Sequence, residues 1–159
     1  MIKKTPQFTT LNKTNNNFSV VELFAGAGGL ALGLEKAGFD TKLMVEIDKW
    51  AVETLKFNRP NWNVLQGNIQ EISKNGITQY LKTDKEIDLL SGGYPCQSFS
   101  YVGNRLGLED TRGTLFHDFA VILKELKPKM FLAENVKGLE THNKGQTLRI
   151  MLDVFKDVG

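Results

Sequence analysis

The chain has 159 residues, 41% hydrophobic and 24% charged, with a formal net charge of +2 and one cysteine, Cys96. That length suits one domain, and the composition excludes a wholly disordered chain, a collagen-like fibre and a disulfide scaffold. Residues 1–80 carry nine basic and seven acidic groups and residues 81–159 eleven of each, an even spread that excludes a polybasic nucleic-acid binder.

Residues 1–17 are rich in Asn and Thr and have little to bury, so they read as a loose tail ahead of a domain over 18–159. The tail is too polar for a signal peptide, no apolar run approaches the ~20 residues of a membrane span, and a single cysteine suits a reducing compartment. The expected location is the cytoplasm. Val20–Phe24 is a short apolar strand running into Gly26-Ala27-Gly28-Gly29, after which Leu30, Leu34 and Ala37 follow at helical spacing up to Gly38. Leu43–Ile47 is a second strand, and Asp48 caps a helix carrying Ala51, Val52 and Leu55 that ends before Pro60. Asn63–Leu65 is a weaker strand, followed by a helix over 69–82 with Ile72 and Leu81 inward.

Ile87–Leu90 is a buried strand closed by Ser91-Gly92-Gly93. The glycine- and proline-bearing loop from Tyr94 to Arg112 is longer than ordinary connections, as functional or mobile loops are. Leu115, Phe116, Phe119, Ile122, Leu123 and Leu126 mark a helix, Met130–Ala133 a fifth strand, and Leu148, Met151, Leu152 and Phe155 a last helix. Alternating strands and helices predict a doubly wound α/β fold: a parallel sheet covered by helices on both faces, with its ligand site at the carboxyl ends of the strands.

The chemistry-bearing residues fall at those ends. Gly26-x-Gly28-x-x-Ala31 lets a ligand approach the start of a helix, and Glu46, twenty residues on, can accept ribose hydroxyls. The pair points to an adenosine-containing cofactor and fits NAD and S-adenosylmethionine equally. Cys96 follows Pro95 in a glycine-flanked polar loop, where a thiol can be aimed as a nucleophile. Glu134 follows the fifth strand, where burial would raise its pKa and favour an acid role. His117 and His142 lack partners at metal-ligand spacing and read as structural or solvated, and Lys137 as solvated or phosphate-facing.

VELFAGAGGL, GGYPCQSFS, DTRGTLFHDF and ENVKGL, in this order, resemble the DNA (cytosine-5) methyltransferases, particularly the bacterial modification enzymes, over residues 18 to 159. The Pro-Cys-Gln and Glu-Asn-Val pair is the specific part of the match. The resemblance implies a Rossmann-like S-adenosylmethionine-dependent methyltransferase fold that methylates C5 of cytosine in double-stranded DNA and releases S-adenosylhomocysteine. Cys96 would attack C6 and Glu134 would hold N3 protonated. The target base would flip out of the duplex, with the loop 97–112 closing over it. Pro95, Gln97, Ser98 and Asn135 would lie on the substrate side.

Phe24, Gly26 and Gly29 would wrap the cofactor, Glu46 would hold its ribose, Ile47 would pack on the adenine, and Leu115 would lie alongside. Gly67-Asn68-Ile69 stands where the family usually has Gly-Asp-Ile. The oxygen of Asn68 can still accept from the adenine amino group, but without the charge, so weaker binding is expected. Glu22 replaces a more frequent Asp. Family members are longer, and no stretch here stands in for their last two strands, Arg-x-Arg segment, recognition domain or C-terminal helix. The expectation is therefore an N-terminal catalytic portion, incomplete at its C-terminal end. It would be a truncation or one chain of a split enzyme, with little activity alone and an exposed strand edge that favours self-association. The alternatives are a non-catalytic remnant that binds cofactor or a partner, and an NAD-dependent oxidoreductase.

Overall fold

The computed structural model describes residues 18–95, 111 and 114–159; the expected tail and most of the expected loop after Pro95 lie outside them. Five strands, β1 (Ser19–Leu23), β2 (Asp40–Glu46), β3 (Val64–Gln66), β4 (Leu89–Gly92) and β5 (Met130–Ala133), pair in parallel in the order β3-β2-β1-β4-β5. β1 is buried along its whole length, as its near-continuous apolar sequence requires at the centre of a parallel sheet. Among the described residues, four α-helices connect the strands, α1 (Gly29–Lys36), α2 (Lys49–Asn58), α3 (Ile69–Asn75) and α4 (Leu115–Leu126), and α5 (Gln146–Val158) follows β5.

Local signals explain most boundaries. The Asp48 carboxylate accepts from the Ala51 N–H at 2.7 Å and starts α2, and the Thr114 hydroxyl accepts from the His117 N–H at 3.1 Å to start α4. The helix expected over 69–82 is shorter. It stops at Asn75, and a 3-10 turn over Thr78–Tyr80 follows. Gly76 ends it with φ +89°, and Glu125 on α4 accepts from the backbone N–H groups of Ile77 and Thr78, each at 3.0 Å, which holds the chain out of helical register. Ser91 and Gly92, expected as a turn, extend β4 and pair with Leu132 and Ala133 of β5.

Val21, Leu23, Leu43, Val45 and Leu90 face α3, α4 and α5 in the main core, which also takes in Ile69, Ile72 and an aromatic group of Tyr94, Phe116, Phe119 and Phe155. A smaller cluster on the opposite face joins Ala31 of α1 and Leu55 of α2 to Met44. Among the described residues, helices cover both faces of β1 and β2 but only one face of β5. Phe131 packs on Phe155, so Met130 and Leu132 point to the other face, where they are 68% and 43% exposed.

The amino edge of the sheet is fastened by Asp88. Its carboxylate accepts from the Ser19 N–H at 2.7 Å, the Ser19 hydroxyl at 3.0 Å and the Lys129 ammonium at 2.6 Å, and Lys129 above all holds the carboxyl down at about 2. Glu22, on β1, is different. It is 2% exposed, one of its oxygens has no hydrogen-bond partner among the described residues, and burial pushes its carboxyl up to about 7 against the lowering effect of the Ala31 N–H.

A testable consequence follows from that burial. The carboxyl titrates near 4.5 when exposed and near 7 when folded, so the folded chain holds the extra proton between these values. Stability therefore falls as pH rises through this window, by an amount on the order of 3 kcal/mol. In urea unfolding from pH 5 to pH 8, Glu22→Gln is expected to gain stability relative to the wild type as pH rises. A constant difference across the range would refute this.

Candidate active site

Parallel pairing brings the carboxyl ends of all five strands to one edge, and the strand order reverses between β1 and β4, where such sheets bind ligands. Phe24 follows β1 with φ +55°, a left-handed conformation that costs a non-glycine residue of order 1–3 kcal/mol and turns the chain aside into the glycine segment. Gly28 has φ +89°, and a Cβ there would lie 2.5 Å from the Leu55 side chain, so this glycine serves both the turn and the packing of α2. Beside Gly26 and Gly29 there is open space: an added Cβ would meet nothing within 4 Å.

Glu46 closes the turn against β2. One carboxylate oxygen accepts from the Gly26 N–H at 2.7 Å; the other accepts from the Ile47 and Asp48 N–H groups at 2.8 and 2.9 Å. A carboxylate has about four acceptor positions. Three are filled among the described residues, which leaves one on the oxygen facing Gly26. The expected acceptance of both ribose hydroxyls thus requires one backbone bond to yield. Ile47 holds its apolar side chain out at the same edge, 63% exposed, as a surface for a flat ring. An open glycine turn, a fixed carboxylate and an exposed apolar plate fit the adenosyl part of S-adenosylmethionine.

Two further expected cofactor residues follow β3. Ile69 is 5% exposed and packs in the main core, so its side chain does not line this edge. The Asn68 side-chain oxygen accepts from the Gln70 N–H at 3.0 Å and caps α3, and its second lone pair is not taken up by this bond. Leu115 lies half-buried at the start of α4, against the main core.

On the other side of β1, Glu134 and Asn135 follow β5. The Glu134 N–H donates to the Gly92 carbonyl at 3.0 Å, and a Cβ on Gly93 would lie 2.7 Å from the Glu134 Oε2, so the carboxylate rests against the backbone of Gly93. Glu134 is exposed, contrary to the burial expected for it. The Asn135 Nδ2 donates to the Tyr94 carbonyl at 2.8 Å, binding the segment after β5 to the one after β4. Tyr94 is buried among Phe116, Phe119 and Met151, which anchors Pro95 at the exposed strand end. Cys96, Gln97 and Ser98 lie outside the described residues.

The strain at Phe24, the contact of Glu134 with Gly93 and the Asn135 bond carried no local sequence signal. The His117 ring nitrogen meets the Thr111 hydroxyl at 3.3 Å, and that of His142 meets Thr147 at 2.7 Å.

The profile of the family described as C-5 cytosine-specific DNA methylase matches residues 18–159. The type II methyltransferase M.Sau96I of Staphylococcus aureus is 57% identical over 90% of this chain, which corresponds to 33% of that protein. Among solved structures, a prophage-encoded protein of E. coli, described as a candidate DNA modification methyltransferase, is 33% identical with TM-score 0.71, over 89% of this chain and 38% of its own. A DNMT2 variant from Spodoptera frugiperda is 29% identical with TM-score 0.64, over 89% of this chain and 41% of its own. The chain spans about a third of the length of M.Sau96I and of two further type II methyltransferases similar to it. The fold is the Rossmann-like one of S-adenosylmethionine-dependent methyltransferases. The match decides between the two cofactors left open by the glycine turn and Glu46, in favour of S-adenosylmethionine.

The two glycines after Ser91 respond differently to a methyl group. A Cβ on Gly92 would lie 2.7 Å from the Leu23 backbone carbonyl, whereas one on Gly93 would meet only the movable end of Glu134. Gly92→Ala is expected to lower stability by about 1–3 kcal/mol, as overpacking does. Gly93→Ala is expected to cost less than ~1 kcal/mol while displacing the Glu134 carboxylate. Urea unfolding measures the first effect, and the ¹³C carboxyl resonance of Glu134 reads the second.

Proposed function

The chain belongs to the C-5 cytosine-specific DNA methylase family, and from that premise we propose that it carries the cofactor-binding and nucleophile-bearing part of an enzyme methylating C5 of cytosine in double-stranded DNA. The observation that supports this most is the Glu134 carboxylate lying against Gly93, in the segment that leads through Pro95 into Cys96. An acid and a thiol are the two groups that the reaction needs from the protein.

C5 of cytosine is too weak a nucleophile to take a methyl group unaided. Addition of the Cys96 thiolate to C6, with Glu134 holding a proton on N3, turns C5 into an enamine carbon. When bound, S-adenosylmethionine supplies an electrophilic methyl group and leaves as S-adenosylhomocysteine. Phe24, Gly26 and Gly29 line its approach, Glu46 accepts from its ribose and Ile47 flanks its base. Loss of the C5 proton to a base and elimination of Cys96 restore the ring as 5-methylcytosine. The base must leave the duplex to be reached, with Pro95, Gln97, Ser98 and Asn135 on the substrate side. Asn135 acts there by fixing the Tyr94 carbonyl.

The even charge distribution leaves most phosphate contacts to sequence outside these residues, in a further segment or on a second chain carrying the recognition domain. β5 is the outermost strand and its face carrying Met130 and Leu132 is exposed, and that segment or another copy of the chain would dock there. The reaction belongs in the bacterial cytoplasm, where the DNA is.

The test is methyl incorporation into double-stranded DNA from labelled S-adenosylmethionine, with the chain alone and co-expressed with the remaining part of a full-length relative. Little incorporation is expected from the chain alone and at least tenfold more with the complement, abolished by Cys96→Ala. Undiminished methylation by Cys96→Ala would refute the mechanism.

A further inference from the structure

Helix α2 is apolar on two opposite sides. Val52 and Leu55 are buried, Leu55 against Met44 of β2, as a surface helix requires of one side. Trp50 and Phe57 are 70% and 86% exposed. At about 100° per residue their stripe lies directly opposite the buried one, where charged and polar residues are the rule. The cofactor edge does not account for it. α2 runs from that edge back toward the start of β3, and Phe57 lies roughly 10 Å beyond Trp50 along the axis. A ligand resting on Glu46 and Ile47 leaves Phe57 bare.

We propose that this stripe is the contact between two copies of the chain, α2 packing antiparallel on α2 about a two-fold axis that passes between Glu53 and Thr54. An axis there sets Trp50 against Phe57 of the partner subunit, and Phe57 against the partner's Trp50, so two aromatic pairs form. Lys49, Glu53 and Lys56 share one flank of the stripe, and the axis sets that flank against itself. The two Glu53 carboxylates then lie near the axis. Each is 3.8 Å from its own Lys49 and less than a helical turn from the partner's Lys56, so two carboxylates sit among four ammonium groups. Lys56 has no ion pair among the described residues, and the contact displaces none. A nucleic acid suits this surface less well, because Asp48 and Glu53 balance Lys49 and Lys56. The two aromatic side chains offer roughly 600 Å² over both copies toward the ~1,000 Å² of a specific interface, so the dimer is weak and reversible. The antiparallel arrangement leaves the two carboxyl edges opening in opposite directions.

The test is sedimentation equilibrium of the purified chain from ~1 to ~500 μM, where a dimer with Kd on the order of 10–100 μM is expected. Phe57→Glu, which places a charge in the aromatic contact, is expected to raise Kd about tenfold or more. Glu53→Lys is expected to raise it about threefold or more, and adding Lys56→Glu to bring it back to within about twofold of the wild type. β5 lies at the other end of the sheet, so Met130→Lys is expected to leave Kd unchanged. A chain that stays monomeric over the whole range overturns the inference, and the stripe then belongs to a further segment or to another protein. A dimer that Met130→Lys abolishes, one that Phe57→Glu leaves intact, or a loss in Glu53→Lys that Lys56→Glu does not rescue overturns it as well. Thermal denaturation checks the fold of each variant; should Phe57→Glu fail to fold, Glu53→Lys and its rescue decide.

Discussion

Parallel pairing of β1 with β2 on one side and β4 on the other is the constraint on which the remaining geometry depends. Leu23 stands opposite both Val45 and Gly92, so the three central strands end together, and their continuations must share one edge. Among the described residues, Gly26, Glu46, Glu134 and Asn135 lie on that edge or immediately beyond it. Because the order reverses between β1 and β4, the glycine turn and Glu46 fall on one side of the crevice and Gly93, Glu134 and Asn135 on the other. A donor bound on the first side and a base presented on the second would meet over β1.

The two edges of the sheet divide their work. At the amino edge, Asp88 satisfies its carboxylate with Ser19 and Lys129 and locks β1, β4 and the approach to β5 together. At the carboxyl edge the polar groups are less fully matched. Among the described residues, Phe24 is held in a left-handed conformation, Glu46 keeps one acceptor position free, and Glu134 stays exposed. Beneath the turn, Glu22 is buried with an unpartnered oxygen. Unsatisfied or strained groups gathered at one edge are what a preorganised binding site costs the fold, and the Asp88 fastening and the aromatic core supply stability elsewhere.

Much of this was legible in the sequence where the signal is local. Asp48 announces α2 because an N-cap needs only a short side chain three residues ahead of its donor, and Glu46 is found from its spacing to the glycine turn. The placement of Glu134 at the end of β5 follows from one apolar run. What escaped depends on partners far along the chain. Glu125 holds the segment after α3 from 48 residues away, Asp88 reaches Ser19 across 69, and Asn135 bonds Tyr94 across 41. The open face of β5 was hidden for the same reason, since alternation shows which side chains share a face but not whether a helix covers it. Asn68 was read as a departure from the family pattern, and its polarity became clear only from the cap it makes.

The most direct test of the central claim, that the carboxyl edge on the β1–β3 side is an S-adenosylmethionine site, is calorimetric titration of the purified chain with S-adenosylmethionine and, in parallel, with NAD. Saturable heat with S-adenosylmethionine, none with NAD, and at least tenfold weaker binding in Glu46→Gln are predicted, since that substitution removes a charged acceptor. Binding of NAD alone, or S-adenosylmethionine binding that Glu46→Gln leaves unchanged, would contradict the account.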